Sequence, residues 1–398
     1  MSTLEHECRE SVGRLQAALI ALYDSVGADP TCPQDVSRAF RLNKTLTWNI
    51  AKLLEAPDGL AAVPHVPGTA SIEKVLRATS DRGASKDAQS QVREAARDFE
   101  RMIEVHVGDR ATLDLIIDGL GSNGNPGLEL SRKRAFLGNS GIYGVQAKTN
   151  MTSVFLAPNR DDPDQIDMVM LRGYVGLRRL RPAVRLPIFR LRQWSKEGQA
   201  IGSQKWEPIE PGASDPFLSE FNRDELPEIQ AVECAEGTDY VLQPGPIGNR
   251  GAFDLFFCDM LRAGACRYQT PEDKTGEFGL TLTVPTEQVV FDLIAHRDIA
   301  YALDAQAMVY AYFFAAGQHE GDWDDASRLP IRQQPVEIAG SPPAVATPLV
   351  PRYADIHQHI YDRLGWSASE FRGVRYSMKY MPLGASVVLR FDLPNRPG

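Results

Sequence analysis

Three short stretches of the 398-residue chain set chemically competent side chains close together. "DIHQH" gathers Asp355, His357 and His359, the company a zinc or iron ion keeps. The two histidines share a face only on a strand; on a helix they point about 200° apart. Ile356, Ile360 and Leu364 recur at helical spacing, so a helix is expected there and the metal site dissolves. "DGLGSNG" at 118–124 is a formal Gly-x-Gly-x-x-Gly through Gly119, Gly121 and Gly124. A dinucleotide site of that form needs a strand before it, a helix directly after it and an acidic side chain ~20 positions on. Here "NPGLELSRKR" follows and "GVQAKTN" brings no ribose-binding carboxylate, so a glycine-rich linker is the better account. "HEGDWDD" at 319–325 offers oxygen ligands to a hard cation, a composition that solvated turns share. No Gly-x-Ser-x-Gly elbow, Walker lysine loop or His-Glu-x-x-His motif is present. No cofactor and no metal are expected, and no local pattern specifies an enzyme.

A fourth stretch, "VSRAFRLNKTLTWNIAKLL", runs from Val36 to Leu54 and carries Arg38, Arg41, Lys44 and Lys52 with no acidic residue. Val36 and Phe40 give a first helix its apolar face, with Ala39 small enough for close approach. Leu46, Ile50 and Leu53 do the same for a second helix. Leu42 is placed to plug the turn between them, and Asn43 suits the break as a helix cap or in a left-handed conformation. Lys44, Thr45, Thr47, Trp48, Asn49 and Lys52 are left to point elsewhere. Such side chains bond to base edges and phosphates, and the cations supply the counterion release that dominates nucleic-acid affinity. The supporting helix would be Leu15–Val26.

On these residues the segment over 10–56 resembles the helix-turn-helix domains of bacterial transcription regulators. That resemblance implies a DNA-binding regulator with Arg38, Arg41, Lys44, Thr45, Thr47, Asn49 and Lys52 as contact residues. It also implies a homo-oligomer, a dimer foremost, because one such motif reads too few base pairs to be specific alone. The chain departs from the pattern at the turn: where many of these motifs carry glycine, it has Arg41 or Leu42. The assignment of individual base-contacting positions is therefore open. "HVPGTASIEKVLRAT" at 65–79 resembles the hairpin of a helix-hairpin-helix motif, whose Pro-Gly turn offers backbone N–H groups to a phosphate. Gly68 fits, but Ala70 stands where the second glycine belongs. The plainer reading is an element ending at Pro-Gly, with Thr69 or Ser71 capping the next helix.

A second basic run lies between Met168 and Lys196, again without an acidic residue. A strand edge carrying Arg178, Arg179, Arg181, Arg185, Arg190 and Arg192 could hold phosphates, an acidic ligand or an acidic partner surface. The plainer reading is a solvated face balanced by acidic loops such as "DDPDQID" at 161–167. Pro182 and Pro187 confine the stretch to an edge strand or an irregular segment.

The elements that must position these residues are legible in outline. Leu15, Ala18, Leu19 and Leu22 mark one helix face, and Val92, Ala96, Phe99 and Ile103 another. "RATLDLIIDGLG" ends in glycines, as a helix does. Beyond residue 120 the texture becomes β-branched and aromatic, and Leu280, Leu282 and Val284 alternate with Thr281 and Thr283. A proline-rich connector, "AGSPPAVATPLVP", precedes a helix at "ADIHQHIYDRLG" and a closing strand at "SVVLRFDL". The expected class is α+β. A helical domain over 1–118, with its helix-turn-helix-like segment at 32–55, is followed by a β-rich domain over 119–270. Residues 271–398 form a second such domain or its continuation.

Composition narrows the class further. The apolar fraction of 43% and the charged fraction of 24% are those of ordinary globular chains. The net charge of −9 argues against a chain uniformly attracted to nucleic acid. Five scattered cysteines and an acidic amino terminus without an apolar run lead us to expect a cytoplasmic protein. No stretch reaches the ~18 apolar residues of a membrane-spanning helix, and no membrane association is expected. Two functions follow as expectations. One is a transcriptional regulator whose β-rich region oligomerises or senses an effector of unknown identity. The other is a non-enzymatic assembly protein that never touches nucleic acid. A buried Trp48 would leave its helix little room to read a groove.

Overall fold

A computed structural model describes residues 3–120, 126–192, 206–222, 226–234, 237–271, 273–311 and 327–396. The chain divides into two compact units, Met1–Leu128 and Glu129–Gly398. It is an α+β protein, helical first and β-rich afterwards.

The first unit is built on the two faces read from the sequence. α1 (Thr3–Asp24) buries Leu15, Ala18, Leu19 and Leu22, starting well before the expected Leu15. Short helices follow in order: α2 (Pro33–Phe40), α3 (Lys44–Glu55), α4 (Gly59–Ala62) and α5 (Thr69–Ser80). α6 (Lys86–His106) buries Val92, Ala96, Phe99 and Ile103 in the same core, and α7 (Arg110–Leu120) comes after it. Each large aliphatic or aromatic side chain so buried contributes about 1.5–3 kcal/mol. α2 starts on Pro33, whose preset φ suits the first helical position. Gly59 lets α4 close on α1, since a Cβ there would sit 2.8 Å from Arg9 Cα. Gln16 Nε2 donates to the Leu53 carbonyl at 2.7 Å and fastens the end of α3 to α1.

α8 (Pro126–Tyr143) leads into the β-rich region. The strands are β1 (Val145–Pro158), β2 (Gln165–Arg179), β3 (Leu186–Arg192), β4 (Trp206–Pro208), β5 (Ile229–Cys234), β6 (Gly237–Leu242) and β7 (Phe253–Cys266). After them come β8 (Thr275–Thr281), β9 (Thr286–His296), β10 (Gln306–Tyr310), β11 (Val336–Ile338), helix α9 (Tyr353–Leu364), β12 (Phe371–Lys379) and β13 (Ser386–Asp392). Seven strands form one sheet in the order β11-β12-β9-β1-β2-β7-β4. Among the described residues only β1 and β9 pair in parallel within it. Two smaller sheets run β10-β13-β8 and β3-β6-β5.

The expected alternation holds in burial, with Leu280, Leu282 and Val284 inside and Thr281 and Thr283 half-buried. β8 itself nevertheless stops at Thr281. The large sheet is covered on both faces. On β7, Phe256 and Cys258 join the cluster around Ile356, Ile360 and Tyr361 of α9, while Leu255 and Phe257 join one around Phe189 and Tyr240. Successive strand residues point to opposite faces, and two-sided cover buries β1 without a break from Thr149 to Ala157, its polar side chains included.

Where α9 lies on this sheet, five polar side chains form a buried chain. Arg375 donates to both oxygens of Asp292, at 2.8 and 2.7 Å. Tyr353 also donates to Asp292, at 2.8 Å, and its hydroxyl lies 2.6 Å from that of Ser153. Ser153 in turn stands 3.2 Å from His357 Nε2. With the Tyr353 proton given to Asp292, Ser153 donates to Tyr353 and His357 Nε2–H donates to Ser153. That order leaves His357 Nδ1 as the bare atom, and it has no partner among the described residues. Burial, with Arg375 adding to it, pushes the His357 imidazole down to about 3, so it is neutral. Ser153 is 0% exposed with its proton committed to Tyr353. Its contact with histidine therefore fastens α9 to β1.

Candidate nucleic-acid interface

The connection between α2 and α3 is three residues long, Arg41 to Asn43. Arg41 takes the left-handed conformation (φ 53°, ψ 36°), and its N–H donates back to the Ser37 carbonyl. Left-handed backbone is costly for any residue with a Cβ; here the arginine stands where glycine would fold more easily. Asn43 is the helix cap, in extended conformation, with its side chain accepting from Thr45 N at 2.7 Å. Ser37 Oγ donates to the Leu42 carbonyl at 2.8 Å, and Phe40 meets the Tyr23 ring edge-on at 6.2 Å. The turn is thus held from both sides, while Leu42 packs partly buried against the core.

The expected contact residues divide into two groups. Arg38, Arg41, Lys44, Thr45, Trp48 and Lys52 are exposed, and Asn49 is half-buried. Trp48 keeps 47% of its surface in solvent, so the burial that would have disqualified its helix does not occur. Arg38 approaches Asp35 at 3.8 Å, with both side chains in solvent; such a pair is worth at most about 1 kcal/mol. Arg41 and Lys44 form no ion pair among the described residues. Thr47 is the correction. It is 1% exposed, and its hydroxyl donates to the Lys44 carbonyl at 3.0 Å. The inward face of α3 is wider than Leu46, Ile50 and Leu53, since Thr47 and Ala51 complete it. A threonine satisfied by its own helix backbone can be buried in this way.

The turn opens onto a cleft of about 930 Å³. Its walls include Arg41, Asn43, Thr45 and Asn49 on one side and Pro67, Gly68, Ser71, Lys74 and Arg77 on the other. The two stretches with nucleic-acid character in the sequence, one around Arg41 and one around Gly68, therefore face the same space. Gly68 caps α5 without a side chain, so the positive end of the helix dipole is open to an anion, although Ser71 N already donates to the Gly68 carbonyl at 2.8 Å. Lys74 and Arg77 are exposed, and Asp81 is the acidic residue of the lining. Arg82 is otherwise engaged: it donates to the Ala39 carbonyl at 2.6 Å and lies 5.7 Å from the Phe40 ring centroid. Burial and then Lys52 hold the His65 imidazole below its usual range. The sequence carries a signal for Lys74 and Arg77 in their i, i+3 spacing beside Pro-Gly, but only folding brings it next to Arg41.

The arginine run of the β-rich unit is dispersed. Arg179 is the second correction: it is 1% exposed, and its Nε and Nη2 donate to the Gln243 carbonyl at 3.0 and 2.6 Å. It is a core group, and no ligand reaches it at a strand edge. Arg178 is half-buried, 3.8 Å from Glu287 and against the Gln146 amide. Arg181 donates to the Ile142 carbonyl at 2.7 Å, and Arg185 is exposed. The side chains of Arg190 and Arg192 lie outside the described residues. β3, which contains Pro187, is an edge strand with a register shift between Pro187 and Phe189.

His357 and His359 sit on α9 as the helical spacing requires, one in the buried chain and the other 2.6 Å from Glu210. Among the described residues no acidic, histidine or cysteine group has the geometry to hold a metal. "HEGDWDD" and most of "DGLGSNG" lie outside the described residues, and a helix, α7, precedes the latter.

No family model matches the chain, and no curated protein matches it. Among solved structures it is similar to the crystal structure of a proposed protease from Parabacteroides distasonis ATCC 8503. The TM-score is 0.29 and the identity 8%, over 63% of this chain and 41% of that one. A likeness of that size carries no argument.

Proposed function

We propose that the helical unit binds nucleic acid through α3 and the cleft beside it. On this reading the protein is a transcriptional regulator that works as a homo-oligomer, a dimer foremost, in the cytoplasm. One observation carries the reading: the acid-free α2–α3 turn and the basic start of α5 line a single cleft, with Arg41, Lys74 and Arg77 exposed in its lining and Lys44 exposed at the start of α3. Phosphates recognised there would displace counterions, which favours binding without any base contact. Lys44, Thr45, Trp48 and Lys52 leave an exposed polar and aromatic surface on α3 for base edges. All five cysteines are free thiols, which suits a reducing compartment. The regulator and its dimer rest on the same reading, because one short helix spans too few base pairs for specificity.

The test is fluorescence anisotropy of the intact chain with mixed duplex DNA across a salt series. Arg41→Ala/Lys44→Ala and Lys74→Ala/Arg77→Ala variants run alongside. Each phosphate contact contributes about 0.9 to the slope of log affinity against log salt, so each double variant is expected to lower it by one to two. Equal slopes in parent and variants would place binding elsewhere on the chain. Absence of binding even at low salt would sink the reading and leave the exposed α3 surface, with Trp48 at its centre, to a protein partner.

A further inference from the structure

A second cavity, in the β-rich unit, stands independently of the nucleic-acid reading. It is a half-open space of about 480 Å³ lined by Trp206 of β4, Phe217, Tyr240 of β6 and the carboxylates Asp215, Glu233 and Asp259, of which Glu233 lies at the exposed rim. Phe217 and Tyr240 meet edge to face, with centroids 5.2 Å apart. Asp215 accepts from Phe217 N at 3.1 Å through Oδ1, and Glu233 accepts from the Thr238 hydroxyl at 2.9 Å through Oε1.

Asp259 is the unusual member. It is 1% exposed, and its Oδ1 accepts from Arg172 at 3.1 Å. Its Oδ2 has no hydrogen-bond partner among the described residues, although Asp259 forms part of the cavity wall. A bare buried carboxylate oxygen is costly unless something arrives to meet it.

Apart from the Arg172 guanidinium on Oδ1, the charged groups of the described lining are carboxylates. The Tyr240 phenol is pushed up to about 12, first by burial and then by Asp215, Glu233 and Asp259 together. All three carboxylates therefore act on one point. They do not converge closely enough to share a metal ion, so the space between them suits a broader cation. Arg172 already shows this chemistry within the protein. Its guanidinium lies 4.9 Å from the Phe189 centroid and 5.8 Å from that of Trp206 while it binds Asp259. Among the described residues, one guanidinium is set against three carboxylates at this cavity.

We infer that this cavity binds an organic cation of the substituted-ammonium class. Its alkyl groups lie against Trp206, Phe217 and Tyr240, and Asp259 Oδ2, Asp215 and Glu233 neutralise its charge. Aromatic faces attract such cations through their quadrupoles, and most strongly where water is excluded. The bare oxygen supplies the one strong polar contact.

The test is calorimetric titration of the intact chain with choline, with the uncharged isostere in which carbon replaces the ammonium nitrogen, and with magnesium and calcium chlorides. Choline is expected to bind about tenfold or more tightly than the isostere. An Asp215→Asn/Glu233→Gln variant, which keeps both acceptor oxygens, is expected to weaken choline about tenfold and leave the isostere unchanged. Because those two substitutions spare the buried Asp259–Arg172 pair, the variant folds and isolates the charge effect. Equal affinity for choline and the isostere would make the cavity a plain apolar slot and overturn the inference. So would heat from magnesium or calcium with none from choline, and so would an absence of choline binding.

Discussion

Replacing Arg41 with glycine separates what the fold wants at the turn from what the surface wants. Arg41 holds φ at 53°, and left-handed backbone costs a residue with a Cβ about 1–2 kcal/mol. Glycine adopts that backbone without strain but gives up about 0.5–1 kcal/mol of extra chain entropy on folding. The bond from residue 41 to the Ser37 carbonyl is made by the backbone and survives. The side chain is exposed and has no ion pair among the described residues, so its removal costs little. The net expectation for Arg41→Gly is a gain of about 0.5–1 kcal/mol, or a melting temperature raised by about 2–4 °C for a unit of this size. Circular dichroism at the helical band would follow the transition in the intact chain. Arg41→Ala keeps the strained backbone and should not show the gain. Both variants should lose the same increment of DNA salt dependence, about 0.9 in slope. A glycine variant that melts at or below the parent would refute the strain argument. One that gains stability yet binds DNA with an unchanged slope would remove Arg41 from the interface. The expected pattern, stability gained and affinity lost, is the trade-off of a residue kept for binding.

Two further outcomes follow from buried charge. Asp292→Ala leaves the Arg375 guanidinium without its carboxylate and should cost about 3–5 kcal/mol in urea unfolding, part of it recovered by adding Arg375→Met; a loss below about 1 kcal/mol would mean that the pair is not buried as described. Asp259, pushed up to about 6 by burial against the opposing pull of Arg172, contributes stability that is fully present below its unfolded value near 3.8 and lost as pH rises through about 6. The unfolding free energy of the parent should therefore fall relative to Asp259→Asn between pH 4 and 6, by on the order of 1–3 kcal/mol. Parallel curves over that window would place the Asp259 carboxyl in water, with Asp215, Glu233, Tyr240 and Arg172 as the other groups facing it.

The amphipathic helices were legible because their cores are local. Leu15 to Leu22 and Val92 to Ile103 repeat at a spacing that only a helix places on one face. The break at Asn43 and the helical setting of His357 and His359 follow from the same short-range geometry. Thr47 turns inward against its polarity because a threonine can satisfy its hydroxyl on its own helix, as it does at the Lys44 carbonyl. The burial of Arg179 has no local signal because it depends on the Gln243 carbonyl, 64 positions away.

What the amino-acid order determined by itself was the class of the protein and the location of its basic stretches, since periodicity and charge are properties of neighbouring residues. What only tertiary structure decided was which distant groups meet. Arg41 faces Lys74 and Arg77 across one cleft because α2, α3 and α5 pack on a shared core. Asp259, Tyr240 and Trp206 enclose another because β4, β6 and β7 converge there. Contacts of that kind are set by side-chain burial over long loops, whose ends no local pattern specifies.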